Sequence, residues 1–193
     1  MKNLKIVIGI FFVSTLFFSC NEDDSKEADV PVPDQTVKPR SLSYNDFGTT
    51  IVTRTFTYDE HDRMATLTTN LRTLTFVYDE NNRATHLLAS DGHDTEFVYG
   101  TDGRITNILQ GDNDIAINYG DDGMFSIFDF AYGLDANGDW KVFVGAELTH
   151  GSGLGAFANV KSFDAIVVLM ADYDSYMYGG RKRLLKINDQ DML

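Results

Sequence analysis

The stretch that decides the fold is a phrase that the chain repeats four times with small changes. It reads Tyr58-Asp-Glu-His-Asp-Arg63, Tyr78-Asp-Glu-Asn-Asn-Arg83, Tyr99-Gly-Thr-Asp-Gly-Arg104 and Tyr119-Gly-Asp-Asp-Gly-Met124. The tyrosines follow one another at intervals of 20, 21 and 20 residues. A fixed period of this length indicates one supersecondary unit that recurs along the chain.

Each unit predicts a strand that ends at its tyrosine and continues into a turn. An aromatic or aliphatic residue stands two places before each tyrosine, so the two share one face of the strand. Four polar, turn-forming residues follow, and the last of them tolerates a left-handed backbone: Asp62, Asn82, Gly103 and Gly123. This pattern predicts a type I turn within a four-residue hairpin loop.

A loop of four residues would place each tyrosine opposite the arginine that follows it. The predicted cross-strand pairs, each stabilised by a guanidinium on a ring, are Tyr58–Arg63, Tyr78–Arg83 and Tyr99–Arg104. In this register the tyrosine face is the core. On the returning strands this face continues with Leu67, Leu87, Ile108 and Phe128, each four places after the arginine position. The opposite face carries Val77, Val98, Met64, Ile105 and Phe125.

The rest of the chain is interpreted as a continuation of the same meander. A fifth copy is predicted from Tyr178 to Arg183, a strand over Trp140–Leu148, and an apolar strand over Ala165–Met170, with a short helix from Gly155 as the alternative. The fold class is therefore all-β: an antiparallel β-meander of repeated hairpins forming a curved or partly closed sheet over residues 41–193. The segment 132–173 breaks the rhythm and is the first place to look for function.

The repeated phrase resembles the YD-repeat of RHS-type proteins, whose unit is Tyr-Asp-x-x-Gly-Arg followed by an apolar-rich strand. The resemblance covers roughly residues 50–130 and 174–188. With the N-terminal features described next, the chain looks like a group of uncharacterised Bacteroidota lipoproteins built from such repeats. That resemblance implies antiparallel β structure and a non-enzymatic role.

The N-terminus has the features of an export signal. Lys2 and Lys5 precede an uncharged run from Ile6 to Phe18, which is too short for a bilayer that needs about 20 residues. Cys20, the only cysteine, ends this region and resembles the acylated cysteine of a bacterial lipobox. The sequence therefore predicts a lipoprotein signal peptide over residues 1–19 and lipidation of Cys20, with a buried N-terminal core element as the alternative.

Residues 20–40 are interpreted as an acylated cysteine followed by an acidic, proline-rich tether. Residues 21–29 resemble the Bacteroidota signal that directs lipoproteins to the outer face of the outer membrane, and a solvated spacer explains the same acids. The predicted location is the outer membrane, lipid-anchored and facing the cell exterior, with the membrane as a partner through the acyl anchor on Cys20. A formal net charge of −13 repels phosphate backbones, so no nucleic acid partner is expected.

One segment has the oxygen ligands that open a calcium loop, namely Asp135, Asn137 and Asp139. An EF-hand loop would need Gly and Glu where the chain has Trp140 and Ala146, and an Asn-Gly hairpin turn explains the segment equally well. Calcium is therefore a weak candidate, and no other cofactor is predicted.

The sequence contains no constellation that indicates catalysis. His150-Gly-Ser152 lacks the Gly-x-Ser-x-Gly pattern of a hydrolase, and the four histidines lack metal-ligand spacing. We therefore predict a non-catalytic binding or structural module with a glycan or a protein as its ligand. Aromatic residues in a sheet are more often core than binding surface, and rows of exposed tyrosines that bind the ligand are the alternative hypothesis. The alternative is a cell-surface hydrolase that acts on glycans or peptides.

The anchor can be tested directly. The substitution Cys20→Ala is expected to release the protein from membranes, because it removes the residue that would carry the acyl chains. Fractionation of cells measures this, with Ser19→Ala as a control that keeps the cysteine. Continued membrane association of the Cys20→Ala variant would contradict lipidation, and protease treatment of intact cells reports which side of the membrane the domain faces.

Overall fold

The fold is that of a computed structural model, which describes residues 37–46, 50–120, 123–178, 180–188 and 190–191. Cys20 and the predicted signal and tether residues before residue 37 lie outside these ranges. The described residues belong to one compact unit that spans Val32–Leu193.

The chain folds into two antiparallel sheets in which each strand pairs with its neighbours along the chain. The first sheet contains β1 (Ser41–Asp46), β2 (Thr50–Tyr58), β3 (Met64–Thr68), β4 (Thr73–Tyr78), β5 (Ala84–Ala89), β6 (Thr95–Tyr99), β7 (Ile105–Gln110) and β8 (Asn113–Ala116). The second contains β9 (Asn118–Tyr119), β10 (Met124–Ile127), β11 (Phe130–Leu134), β12 (Trp140–Phe143), β13 (Ala146–Leu154), β14 (Lys182–Ile187) and β15 (Gln190–Asp191). The prediction of an all-β antiparallel meander is confirmed, and within the described ranges neither sheet closes on itself.

The predicted left-handed residues close the turns as expected. The φ angles are 64° at Asp62, 61° at Asn82, and 80° at both Gly103 and Gly123. The loop is shorter than predicted, however. The Asp59 N–H donates to the Arg63 carbonyl at 2.9 Å and the Asp62 N–H donates to the Asp59 carbonyl at 3.1 Å, which leaves three residues between the paired ends. This is a type I turn followed by a left-handed bulge residue.

The bulge shifts the register, so the predicted Tyr–Arg pairs within each hairpin are wrong. Tyr58 faces Met64, Tyr78 faces Ala84 and Tyr99 faces Ile105. Each arginine instead covers the tyrosine of the next repeat. The guanidinium carbon to ring centroid distances are 4.3 Å for Arg63 on Tyr78, 4.6 Å for Arg83 on Tyr99 and 5.2 Å for Arg104 on Tyr119.

The shorter loop also changes which residues are buried. Met64, Ile105 and Phe125, predicted on the outer face, belong to the hydrophobic core. In the first two of these hairpins the register shifts once more directly after Met64 and Ile105, so that Leu67 and Ile108, three places later, lie on the same face. Leu67, Leu87 and Ile108 are buried as predicted. Phe128 is not, since it lies at a hairpin tip rather than in a strand.

The tyrosine hydroxyls form a second set of contacts between successive repeats. Tyr78 donates to the Met64 carbonyl at 2.9 Å, Tyr99 donates to that of Ala84 at 2.8 Å, and Tyr119 donates to that of Ile105 at 3.0 Å. Burial raises the pKa of these phenols, to about 12 for Tyr119. The tyrosines are therefore partly buried structural residues, and the predicted exposed tyrosine row is not formed.

Three predictions within segment 132–173 are wrong. The predicted strand Ala165–Met170 is a helix, α1 (Ala165–Ala171), in which the Asp164 carboxylate accepts the N–H groups of Ile166 and Val167 at 2.9 and 3.4 Å. A short apolar run has the same pattern in a buried helix as in a buried strand, and the capping residue decides between them. The predicted strand Trp140–Leu148 is divided into β12 and β13 by a turn at residues 144–145, and no helix starts at Gly155.

The predicted fifth copy does not form a hairpin. Tyr178 ends a 3-10 helix (Tyr173–Tyr178), and β14 pairs with β13. The turn chemistry recurs instead at Asp135-Ala-Asn-Gly-Asp139, where Gly138 has φ 81° and the Asp135 N–H donates to the Asp139 carbonyl at 2.8 Å.

Helix α1 and the loop before it cover the core face of the first sheet. The Phe157 ring meets Phe56 edge-on and stacks on Phe163, with centroids 5.2 Å apart in both contacts. In the part of the chain that the structure describes, no helix has the length and apolar character needed to cross a bilayer.

A double-mutant cycle distinguishes the observed register from the predicted one. We expect Arg63→Ala and Tyr78→Leu to be coupled by about 0.5–1 kcal/mol in unfolding free energy, because the cation lies over that ring. The cycle of Arg63→Ala with Tyr58→Leu is the control and should give a coupling near zero. Coupling to Tyr58 with none to Tyr78 would contradict the contact between repeats.

Candidate functional site

The strongest candidate site is a pocket of about 420 Å³ at the end of the domain opposite the repeated turns. Its walls are the loop of residues 69–72 between β3 and β4, the tip of the β10–β11 hairpin, and the C-terminal end of α1 with Tyr173. Much of its lining comes from segment 132–173, which the sequence marked as breaking the repeat.

The floor of the pocket is a buried ion pair. The Arg54 Nε donates to Asp172 Oδ2 at 2.5 Å, and a second guanidinium nitrogen donates to Asp172 Oδ1 at 3.1 Å. Both residues are more than nine-tenths buried. Because removal of one partner would leave a buried charge uncompensated, this bidentate pair holds β2 to the end of α1 and makes a rigid polar floor.

A further carboxylate extends this network towards solvent. Asp174 Oδ2 lies 3.4 Å from Arg54 and accepts the Tyr44 hydroxyl at 2.8 Å. Burial and this hydrogen bond raise the pKa of the Tyr44 phenol, so it remains a neutral donor.

The rim of the pocket combines exposed apolar side chains with a second ion pair. Leu71, Phe128 and Tyr173 are 86%, 59% and 57% exposed. Arg72 lies 3.6 Å from Asp91 on the same rim. Large apolar side chains that are exposed together around a polar floor are typical of a binding site.

The backbone at Phe128 is strained. Phe128 has φ 53° and Asp129 has φ 65°, so both central residues of this two-residue turn are left-handed. Such turns favour Asn-Gly, and a bulky aromatic residue there is an outlier. Strain of this kind is frequent at functional sites, although Val144 has a similar φ of 52° outside the pocket.

The predicted calcium ligands serve the turn instead. Asp135 Oδ1 accepts the N–H groups of Asn137 and Asp139 at 2.7 and 3.1 Å, as Asp59 accepts those of His61 and Arg63. Burial opposes ionisation of Asp135, yet the Asn137 amide and these N–H groups hold its pKa below the usual value.

Asp139 is fully buried and accepts the backbone N–H groups of Arg181 and Lys182. A Cβ at Gly180 would overlap this carboxylate, so a glycine is needed there. Among the described residues no group of three acidic, histidine or cysteine side chains is arranged to hold a metal. The geometry favours the turn interpretation, and calcium binding stays a weak prediction.

The other sequence candidates do not contribute to the pocket. His150 and Ser152 lie on β13, outside the pocket lining, and Cys20 lies outside the described residues. The lining residues Arg54, Leu71, Phe128 and Tyr173 were missed, because they become neighbours only in three dimensions. Phe128 had been assigned to a strand.

Comparisons with known proteins do not extend this picture. No family model matches the chain, and no curated protein matches it. The resemblance to YD-repeats therefore stays a prediction.

Relief of the strain gives a stability test. We expect Phe128→Asn to raise the unfolding free energy by about 1 kcal/mol, because Asn tolerates a left-handed backbone. Thermal or chemical unfolding measures this. Phe130→Asn is the matched control, since Phe130 is similarly exposed on the same hairpin without a positive φ, and it should give no gain. A destabilised Phe128→Asn variant would contradict the strain argument.

Proposed function

We propose that the protein is a non-catalytic binding module, tethered to the outer face of the outer membrane through acylated Cys20, and that its pocket holds a neutral saccharide. The observation that carries the proposal is the strained, exposed Phe128 beside Leu71 and Tyr173 over the Arg54–Asp172 floor.

A saccharide fits the chemistry of this pocket. A pyranose ring has an apolar C–H face and an edge of hydroxyl groups. The exposed rings and Leu71 suit the apolar face, while Arg72, Asp91 and Asn70 supply charged and amide groups for hydroxyls at the same rim. The net charge of −13 disfavours anionic polysaccharides, so a neutral sugar is the better ligand.

The state of the carboxylates supports binding rather than catalysis. Asp172 is held by two guanidinium nitrogens. The backbone N–H of His93 is the main group that lowers the pKa of Asp91, with help from Arg72, so this carboxyl stays ionised at neutral pH. An ionised Asp91 accepts hydroxyl hydrogen bonds, whereas a general acid needs a raised pKa.

The proposed tether would allow the pocket to reach ligands at a distance from the membrane. Residues 37–39 contact the domain through Tyr58 and Asn159, so the spacer is residues 20–36, which can extend to roughly 50 Å at about 3 Å per residue. A module on such a tether could engage glycans beyond the membrane surface without contact between the acidic domain and the bilayer.

Calorimetric titration of the full-length lipoprotein in detergent tests the proposal. The probes are neutral oligosaccharides of glucose, mannose, galactose, xylose and N-acetylglucosamine. We expect saturable binding of at least one, and a loss of about tenfold or more in affinity for Phe128→Asn and Leu71→Ala, which corresponds to about 1.4 kcal/mol.

Phe130→Ala is the control, because it removes an exposed ring that does not line the pocket. The proposal fails if no neutral oligosaccharide binds, or if the Phe128 and Leu71 variants bind as the wild type does.

A further inference from the structure

The outer edge of β8 is a strand edge that ends the first sheet. Strand β8 pairs with β7 on one side, and no described strand pairs with its other side. The chain continues directly into β9, which pairs with β10. The segment 113–119 is thus one extended stretch that is covered on its outer side only at its C-terminal end.

Two hydrogen bonds show which backbone groups of this stretch point outward. The Ile117 N–H donates to the Thr106 carbonyl on β7, whereas the Gly120 N–H donates to the Met124 carbonyl on the β10 side. Because N–H groups alternate along a strand, those of Asp114 and Ala116 point to the β10 side. Beyond the Asn118–Ser126 pair, however, the chain reverses direction at residues 128–129. No described strand therefore occupies the position beside Ala116 and Asp114.

The open position beside Ala116 and Asp114 is a groove of about 570 Å³ with an acidic lining. Its walls are residues of β8 and the preceding turn on one side and the hairpin tip, Phe128 and Asp129, on the other. Asp112, Asp114 and Asp129 are distributed along it, and its described lining contains no basic side chain.

We propose that the outer edge of β8 binds an extended, basic peptide segment of another protein by adding it to the sheet as a strand. The backbone groups of Asp114 and Ala116 would pair with the peptide, as in other sheets that accept an added strand. The three carboxylates attract lysine and arginine side chains. They also disfavour pairing with a second copy of this chain, which would bring like charges together.

This site is separate from the saccharide pocket, although the two share Phe128 on their common rim. Its test must therefore use residues that belong to one site only. Ala116 lines the groove and Leu71 lines the pocket.

Fluorescence anisotropy with a labelled peptide of alternating lysine and valine, about ten residues long, tests the proposal on the full-length lipoprotein. We expect binding that Ala116→Pro weakens about tenfold or more, because proline removes an outward N–H that an edge strand can lose without damage to the sheet. Ala116→Val keeps the N–H and is the control. Asp114→Asn should weaken binding more at low salt than at high salt, and Leu71→Ala should have no effect.

Amide hydrogen exchange gives a second measurement that does not depend on the proline variant. The peptide should slow exchange at Asp114 and Ala116 of the wild-type protein. The proposal is overturned if the peptide does not bind, if binding leaves these two amides unprotected, or if Ala116→Pro folds and binds as Ala116→Val does. Concentration-dependent dimerisation that protects the same amides without peptide would also overturn it. If Ala116→Pro still binds the saccharide as the wild type does, its loss of peptide binding does not come from damage to the pocket.

Discussion

The left-handed residue that closes each repeated turn is the constraint on which the first sheet depends. Asp62, Asn82 and Gly103 each close a three-residue loop, so the following arginine does not face the tyrosine of its own hairpin. Arg63 and Arg83 keep an ion pair with the aspartate of their own turn, Asp59 or Asp79. The Arg63 guanidinium covers the ring of Tyr78 in the next repeat. The Tyr78 hydroxyl in turn donates to the Met64 carbonyl of β3. Each repeat is therefore completed by its neighbour, as in repeat proteins whose stability resides in the interfaces between units.

The series of arginine–tyrosine contacts, here called the ladder, has different residue types at its two ends. Lys38 lies 5.0 Å from the Tyr58 ring and the Tyr58 hydroxyl donates to the Pro39 carbonyl, so residues just before β1 act as the missing preceding repeat. At the other end Met124 stands where an arginine would be, and it packs beside Gly133 of β11. The ladder ends there, and a cluster of rings, Phe125, Tyr132 and Trp140, forms the core of the second sheet.

The sequence was sufficient for those features that depend on one residue and its neighbours in the chain. The left-handed positions and the antiparallel order follow from local turn chemistry and from alternation. Met64 was placed wrongly because alternation assumes a four-residue loop and an unbroken pleat. The three-residue loop reverses the face of Met64, and a second register shift directly after it restores the predicted face at Leu67. Residues 165–170 were predicted as a strand because hydrophobic periodicity cannot distinguish a helix from a strand in a run that is apolar throughout. Asp164, just before the run, is the helix-capping residue that decides for the helix.

The β10–β11 hairpin shows why the candidate sites could not be recognised from the sequence. Its turn ends the pairing of β10 with β9, which opens the edge of β8, and the same turn directs Phe128 to the rim of the pocket. An Asn-Gly turn would satisfy this backbone at lower cost. Under the proposed function, the surface that the Phe128 ring provides offsets the cost of a phenylalanine at φ 53°. Val144 has a similar φ of 52° without lining either candidate site, so a left-handed bulky residue alone does not mark a site. Phe128 differs from Val144 because its exposed ring lines both sites, as occurs where function opposes local preference.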